Sequence, residues 1–194
     1  MLSLAVFLGN PGAEYARNRH NAGRLLAEKL PFYESLAWQN KFSGRFARAA
    51  AHAAADGCDF LIPGTYMNLS GVSVQKAAAF HRIPPGGIIV VHDELELPLG
   101  TVSLKFAGGL GGHNGLRSIK EKLGTAEFWR LRIGIGRPPA GFDDVAGWVL
   151  SNFTPGEMPV LEAVLDAGVS LMLRALTEEP EQLLPEWKKK QVSR

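Results

Sequence analysis

The chain reads as an α/β protein: one domain built on a mixed, largely parallel sheet with helices packed against it. Three observations lead there. Apolar or β-branched runs of strand length recur along the chain. Most are followed by a polar loop and then by an amphipathic, helix-like stretch. The linkers between them are too short to mark a domain boundary. With 194 residues and 46% hydrophobic composition there is enough apolar surface for one core. Residues 1–194 are therefore expected to form a single domain, closed by C-terminal helices over about 159–190.

The elements follow in order. Leu2 to Leu8 is apolar apart from Ser3 and stops at Gly9-Asn10-Pro11-Gly12, the pattern of a buried strand ending in a turn. From Asn21 the spacing changes. Leu25, Leu26 and Leu30 share one side, with Glu28 and Lys29 opposite, which predicts a helix ending near Pro31. Phe42 to Ala51 and Cys58 to Ile62 are expected to be strands joined by a turn at Asp56-Gly57. A helix follows over about Ser70 to His81. Ile88 to His92 is a β-branched strand ending directly in Asp93-Glu94, and Val102 to Phe106 is expected to pair near it. Gly108 to Gly112 leads into a helix over Leu116 to Leu123, and Arg130 to Gly136 alternates as a strand does. Two helices, Pro159 to Leu176 and Glu181 to Lys190, close the chain.

Composition narrows the function classes. The lone Cys58 cannot form an internal disulfide or a thiolate pair for a metal, which suits a reducing compartment. The first apolar run meets its turn too early for a signal peptide, and no window reaches the roughly 20 apolar residues of a membrane span. A cytoplasmic protein without a membrane partner is expected. The formal charge of +2 permits a polyanionic partner without demanding one.

Four polar clusters stand near the ends of these elements, where open α/β sheets bind their ligands. The first runs from Gly9-Asn10-Pro11-Gly12 through Tyr15 to Asn18-Arg19-His20-Asn21-Ala22-Gly23. The second is Pro63-Gly64-Thr65-Tyr66-Met67-Asn68-Leu69-Ser70-Gly71, the third His92-Asp93-Glu94-Leu95-Glu96, the fourth Gly111-Gly112-His113-Asn114-Gly115. Each alone is explained by capping, a solvated acidic turn or a glycine turn. Together they bring an imidazole, a carboxylate and three amides within reach of one pocket.

These blocks, in this order, are similar to the signature blocks of bacterial peptidyl-tRNA hydrolases, and Phe128-Trp129-Arg130-Leu131-Arg132-Ile133-Gly134-Ile135-Gly136-Arg137-Pro138 extends the similarity over about the first three-quarters of the chain. The resemblance implies a twisted mixed sheet flanked by helices, usually a monomer, acting on the acceptor end of peptidyl-tRNA with no metal or organic cofactor. It implies that His20 is the catalytic base and that Asp93 orients it. Asn10, Asn68 and Asn114 would hold the peptide and the terminal ribose, with Asn10 closest to the chemistry. Tyr15, Met67 and His113 would line the same cleft. The sequence departs from the family at Ile62, commonly a lysine, at Leu110 in the glycine loop, and at Phe142-Asp143-Asp144, where relatives often place a basic residue that grips RNA. Lys105, Arg130, Arg132 and Arg137 remain as candidate phosphate contacts, with Trp187-Lys188-Lys189-Lys190 either a further one or a solubilising helix end.

The chemistry suits the residues. Ester hydrolysis needs an activated water and a donor for the carbonyl oxygen, and imidazole beside a carboxylate supplies the first. Which amide supplies the second is open. Among rival readings, a dinucleotide loop lacks the G-x-G-x-x-G spacing. A metallohydrolase using His20, His92, Asp93 and His113 lacks a ligand motif. A noncatalytic RNA-binding or splicing-associated protein on the same fold is the alternative that keeps the groove.

Overall fold

The computed structural model describes residues 1–48 and 57–192. Among them, eight strands form one sheet: β1 (Leu4–Phe7), β2 (Gln39–Lys41), β3 (Gly44–Ala47), β4 (Asp59–Pro63), β5 (Ile88–Glu94), β6 (Thr101–Phe106), β7 (Trp129–Gly134) and β8 (Lys190–Gln191). Their order is β2-β3-β4-β1-β5-β7-β6-β8. The four central strands β4, β1, β5 and β7 run parallel, and antiparallel strands complete both sides. The α-helices among the described residues are α1 (Ala22–Glu28), α2 (Ser70–His81), α3 (Asn114–Leu123), α4 (Val145–Val149), α5 (Met158–Ala175) and α6 (Pro180–Trp187).

The continuous apolar runs of β1 and β5 belong to strands covered on both faces. Alternate residues go to opposite sides. Ala5, Phe7, Ile89 and Val91 join a cluster with Leu26 of α1 and Leu161 and Leu165 of α5. Leu4, Val6, Ile88 and Val90 join another with Val74 of α2 and Leu116 and Ile119 of α3. Each fully buried Val, Leu, Ile or Phe among them contributes roughly 1.5–3 kcal/mol. The central strands are thereby the best anchored part of the molecule. Their carboxyl ends carry three of the four polar clusters, those around Asn10, Met67 and Asp93.

Several sequence expectations need correction. Asp93 and Glu94 do not follow a strand but lie within β5, paired with Ile133 and Gly134 of β7. The strand at Val102–Phe106 does not pair with β5: β7 lies between them, and β6 runs antiparallel to it. The Gly111–Gly115 cluster therefore does not leave the carboxyl edge of the parallel strands. Its loop starts at the opposite edge, where Phe106 pairs with Trp129, and climbs back. The buried Arg130 braces that climb, donating to the carbonyl oxygens of Gly109 (2.8 Å) and Ala107. The last helix stops at Trp187 and gives way to β8. Residues 49–51 of the expected Phe42–Ala51 strand, and Asp56 of its turn, lie outside the described residues. No helix among the described residues is long and apolar enough to cross a membrane.

The contact that seats the first loop on the sheet is glycine-specific. A Cβ on Gly23, in the first turn of α1, would stand 2.5 Å from the carbonyl oxygen of Val91 and 2.7 Å from that of Leu8. Gly23→Ala must push α1 off the ends of β1 and β5. The expected result is a loss of about 1–3 kcal/mol, seen as a fall of several degrees in thermal midpoint.

Candidate active site

His20 occupies a short 3₁₀ turn, Arg19–Asn21, between the loop after β1 and α1. Asn21 locks that turn to the first cluster: its Oδ1 accepts the Asn10 backbone N–H (2.8 Å), and its Nδ2 donates to the Asn10 carbonyl (3.0 Å). Asn10 reaches on to the second cluster, its Oδ1 accepting the Met67 backbone N–H at 2.7 Å. The side-chain oxygen of Asn10 is therefore used, and the group left for a ligand is its NH₂.

The carboxylate of Asp93, 2% exposed, is the point on which the site converges. His20 Nδ1 lies 2.9 and 3.0 Å from its two oxygens. His113 Nε2 lies 2.9 Å from Oδ1, and the two imidazole rings are 4.8 Å apart. The tautomers follow from the other partners. His113 caps α3, its Nδ1 accepting the backbone N–H groups of Gly115 (3.1 Å) and Leu116 (3.4 Å), so its proton sits on Nε2 and is donated to Asp93. His20 donates from Nδ1, which leaves the lone pair on Nε2 without a protein partner among the described residues.

The electrostatics match. Burial alone would lower the His20 pKa, but the Asp93 charge and its hydrogen bond outweigh that and raise it above the ordinary 6.5. Burial alone would push Asp93 up, yet the two imidazoles hold it well below the usual carboxylate range. His92 is different. Fully buried and beside His113, it is held well below 6.5, and it spends Nδ1–H on the Asp93 carbonyl at 2.6 Å. It has no route to act as a base on a solvent-exposed ligand.

His20, Asp93, His113 and Asn114 line a cavity of about 160 Å³ with Glu94, Leu95, Gly111 and Gly112, closed on one side by Val145, Ala146 and Val149 of α4. Met67 adjoins it: a Cβ on Gly115 would come within 2.6 Å of Met67 Sδ and 3.1 Å of His113 Cε1. Asn68 and Asn114 are exposed, and Tyr15 stands edge-on to Tyr66 with ring centroids 6.4 Å apart. α4 was invisible in the sequence because it has only five residues, but a cap signal existed. Asp144, read as a break in a basic grip, accepts the Gly147 N–H at 2.8 Å as its N-cap.

His20, Asp93 and His113 also form the one group of potential metal donors among the described residues, with ligand atoms within 4.8 Å of one another. Their chemistry does not suit an ion. A metal-bound histidine ordinarily donates its other ring N–H, whereas His113 Nδ1 accepts two.

The basic residues divide. Lys105 and Arg132 line a cleft of about 650 Å³ with Phe106, Lys188 and Lys189. Arg132 donates to Ser103 Oγ (2.7 Å) and lies 3.5 Å from Glu94. Partial burial, then Arg130 and Arg132, hold Lys105 below the ordinary lysine range, a field that an anion would relieve. Arg137 is not in this cleft. It is paired with Glu96 in a separate groove that includes Trp148 and Glu157. Lys190 of the basic tail is paired with Glu186.

Comparison with known proteins decides the family. The peptidyl-tRNA hydrolase family model matches residues 4–194. The chain belongs to the peptidyl-tRNA hydrolase family. It is 49% identical to a peptidyl-tRNA hydrolase of Treponema pallidum, over 98% of this chain and 96% of that one. A Haemophilus influenzae peptidyl-tRNA hydrolase is also 49% identical, covering 85% of each chain. The crystal structure of the Acinetobacter baumannii peptidyl-tRNA hydrolase superposes with a TM-score of 0.84 at 37% identity, covering 96% of both. The family fold is thus present over nearly the whole chain, with the sheet and helices described above.

The pairing of His20 with Asp93 has a direct test. Stability from this pair is fully present below pH 6.5 and is lost as pH rises through the raised folded-state pKa of His20. An NMR titration should place the His20 midpoint above 6.5. In Asp93→Asn, where burial is left without the opposing charge, it should fall below 6.5. A midpoint unmoved by that substitution contradicts the pairing.

Proposed function

We propose that this chain hydrolyses the ester between a peptide, or an N-blocked aminoacyl group, and the 3′-terminal ribose of tRNA, recycling tRNA from prematurely released peptidyl-tRNA. The observation that carries the reading is the His20 ring, held by Asp93 through Nδ1 with Nε2 left as a base in a small cavity. Nε2 takes a proton from water as the water oxygen attacks the ester carbonyl carbon. The tetrahedral intermediate then collapses with loss of the ribose oxygen, to which His20 returns the proton. The products are a free peptide carboxyl group and tRNA.

Asp93 holds the imidazole in the required tautomer and stabilises the imidazolium. Of the three amides, Asn10 is assigned to the oxyanion: its Oδ1 is occupied by Met67, so it offers a donor and no competing acceptor. The exposed Asn68 and Asn114 would both donate and accept, which suits a peptide unit and ribose hydroxyls. Tyr15 and Met67 would flank the peptide. His113 would flank it too, and its hydrogen bond to Asp93 gives it a second task, holding the carboxylate. Phosphates of the acceptor end would meet Lys105 and Arg132, joined by Lys188 and Lys189. Arg137 would contribute only by leaving Glu96. We place the protein in the cytoplasm as a single-domain monomer over residues 1–194, working without a cofactor.

Release of labelled peptide from N-acetyl-aminoacyl-tRNA tests the reading. His20→Ala should lose about 10²–10⁴ in kcat, or roughly 3–5 kcal/mol of barrier, with circular dichroism unchanged. Wild-type activity should survive a chelator. Binding of RNA without release by the wild type would favour the noncatalytic RNA-binding alternative. Because phosphate neutralisation dominates such binding, KM should rise with salt, and the combined Lys105→Ala and Arg132→Ala protein should show a shallower dependence. A KM independent of salt would remove these residues from the interface.

A further inference from the structure

Arg19, the residue before His20, has no part in the chemistry above, yet it is almost wholly buried at 1% exposure. Its two terminal nitrogens donate to Glu157 at 3.0 and 2.8 Å, and Nε donates to Ser151 Oγ at 3.2 Å. Its backbone N–H donates to the Ser151 carbonyl at 3.0 Å. The guanidinium carbon lies 3.8 Å from the Trp148 ring centroid and 4.9 Å from that of Phe153. Asn18 adds a backbone bridge to Asn152 and a side-chain bond to the Leu150 carbonyl. Every one of these partners lies in one segment, 148–157, that begins in α4.

The helix in which that segment begins carries the pocket wall. Val145, Ala146 and Val149 of α4 close the cavity around His20. α4 is too short to hold itself in place, and none of its own residues is fully buried. A buried guanidinium is costly to desolvate, and here two bonds to the Glu157 carboxylate offset that cost. Arginine alone can span both oxygens of one carboxylate while stacking between two aromatic rings, which a lysine cannot do.

We infer that Arg19 is a positioning residue for substrate binding: held by Glu157, it stacks on Trp148 and bonds Ser151, and so fixes α4 as the apolar wall of the pocket opposite His20. The inference rests on the hydrolase reading. One short turn then carries two tasks, chemistry at His20 and placement of the opposite wall at Arg19. The His20–Asp93 bond does not pass through Glu157, so loosening the wall weakens binding while leaving the base intact.

The test is Glu157→Gln, which keeps the shape and removes the charge, alongside Arg19→Lys. kcat and KM are measured separately on N-acetyl-aminoacyl-tRNA, with the pH dependence of kcat and amide hydrogen exchange. Expected for both variants is a KM about tenfold higher, a kcat and pH midpoint close to wild type, and faster exchange confined to residues 145–157. An unchanged KM with only a lower thermal midpoint would reduce the pair to a structural tie and overturn the inference. A loss confined to kcat with a moved pH midpoint would overturn it too, since Arg19 would then act through His20. Should the wild type not turn over, the Kd for N-acetyl-aminoacyl-tRNA replaces KM in the same comparison, so failure of the functional reading is separable from failure of this one.

Discussion

The buried Asp93 carboxylate, accepting hydrogen bonds from two imidazoles, is the constraint on which the rest of the site depends. A charge at that depth is tolerable only if its oxygens are paired. His20 and His113 both pair with it, and each brings a different part of the fold. His20 comes on the turn ahead of α1, seated on the sheet by the close approach of Gly23. His113 comes as the cap of α3, at the end of the loop that climbs from β6. The carboxylate itself stands on β5, paired on one side with β1 and on the other with β7. Three distant stretches of sequence are thus brought together by one electrostatic requirement.

That requirement also divides the histidines by role. His113 is oriented by the helix N-terminus behind it, His92 spends its proton on the backbone, and His20 alone keeps a lone pair toward the cavity. Identical side chains within one cluster acquire different chemistry from the partner each ring nitrogen finds. The same holds for the amides. Asn21 is consumed in tying Asn10 to the catalytic turn, Asn10 keeps only its donor, and Asn68 and Asn114 stay exposed.

Much of this was legible in the sequence, and the part that was not has physical causes. The β-branched run Ile88 to His92 and the helix expected over Ser70 to His81 fall where the sequence places them. The four polar clusters were visible as blocks, and His20, Asp93 and His113 do converge. Short elements escaped. β3 falls inside the expected Phe42–Ala51 strand, but Phe42 and Ser43 form a two-residue turn, both at φ near +55°, that joins it to the unforeseen β2, and no Asn-Gly signal marks that hairpin. β8 has two residues and α4 five, too few for periodicity to register. Partner choice escaped as well. Nothing in the spacing says that β7 separates β5 from β6, that His113 binds Asp93, or that Arg19 finds Glu157, because those contacts depend on strand order. Ile62, where the family commonly has a lysine, is 5% exposed in β4 and belongs to the core.

The central claim is that the His20 imidazole is the base that activates water. The most direct measurement is single-turnover release of peptide from N-acetyl-aminoacyl-tRNA by His20→Ala, with and without added imidazole across a range of pH. If His20 is that base, the variant is slow alone and is accelerated by imidazole in proportion to its unprotonated fraction. Release at the wild-type rate without imidazole would contradict the claim.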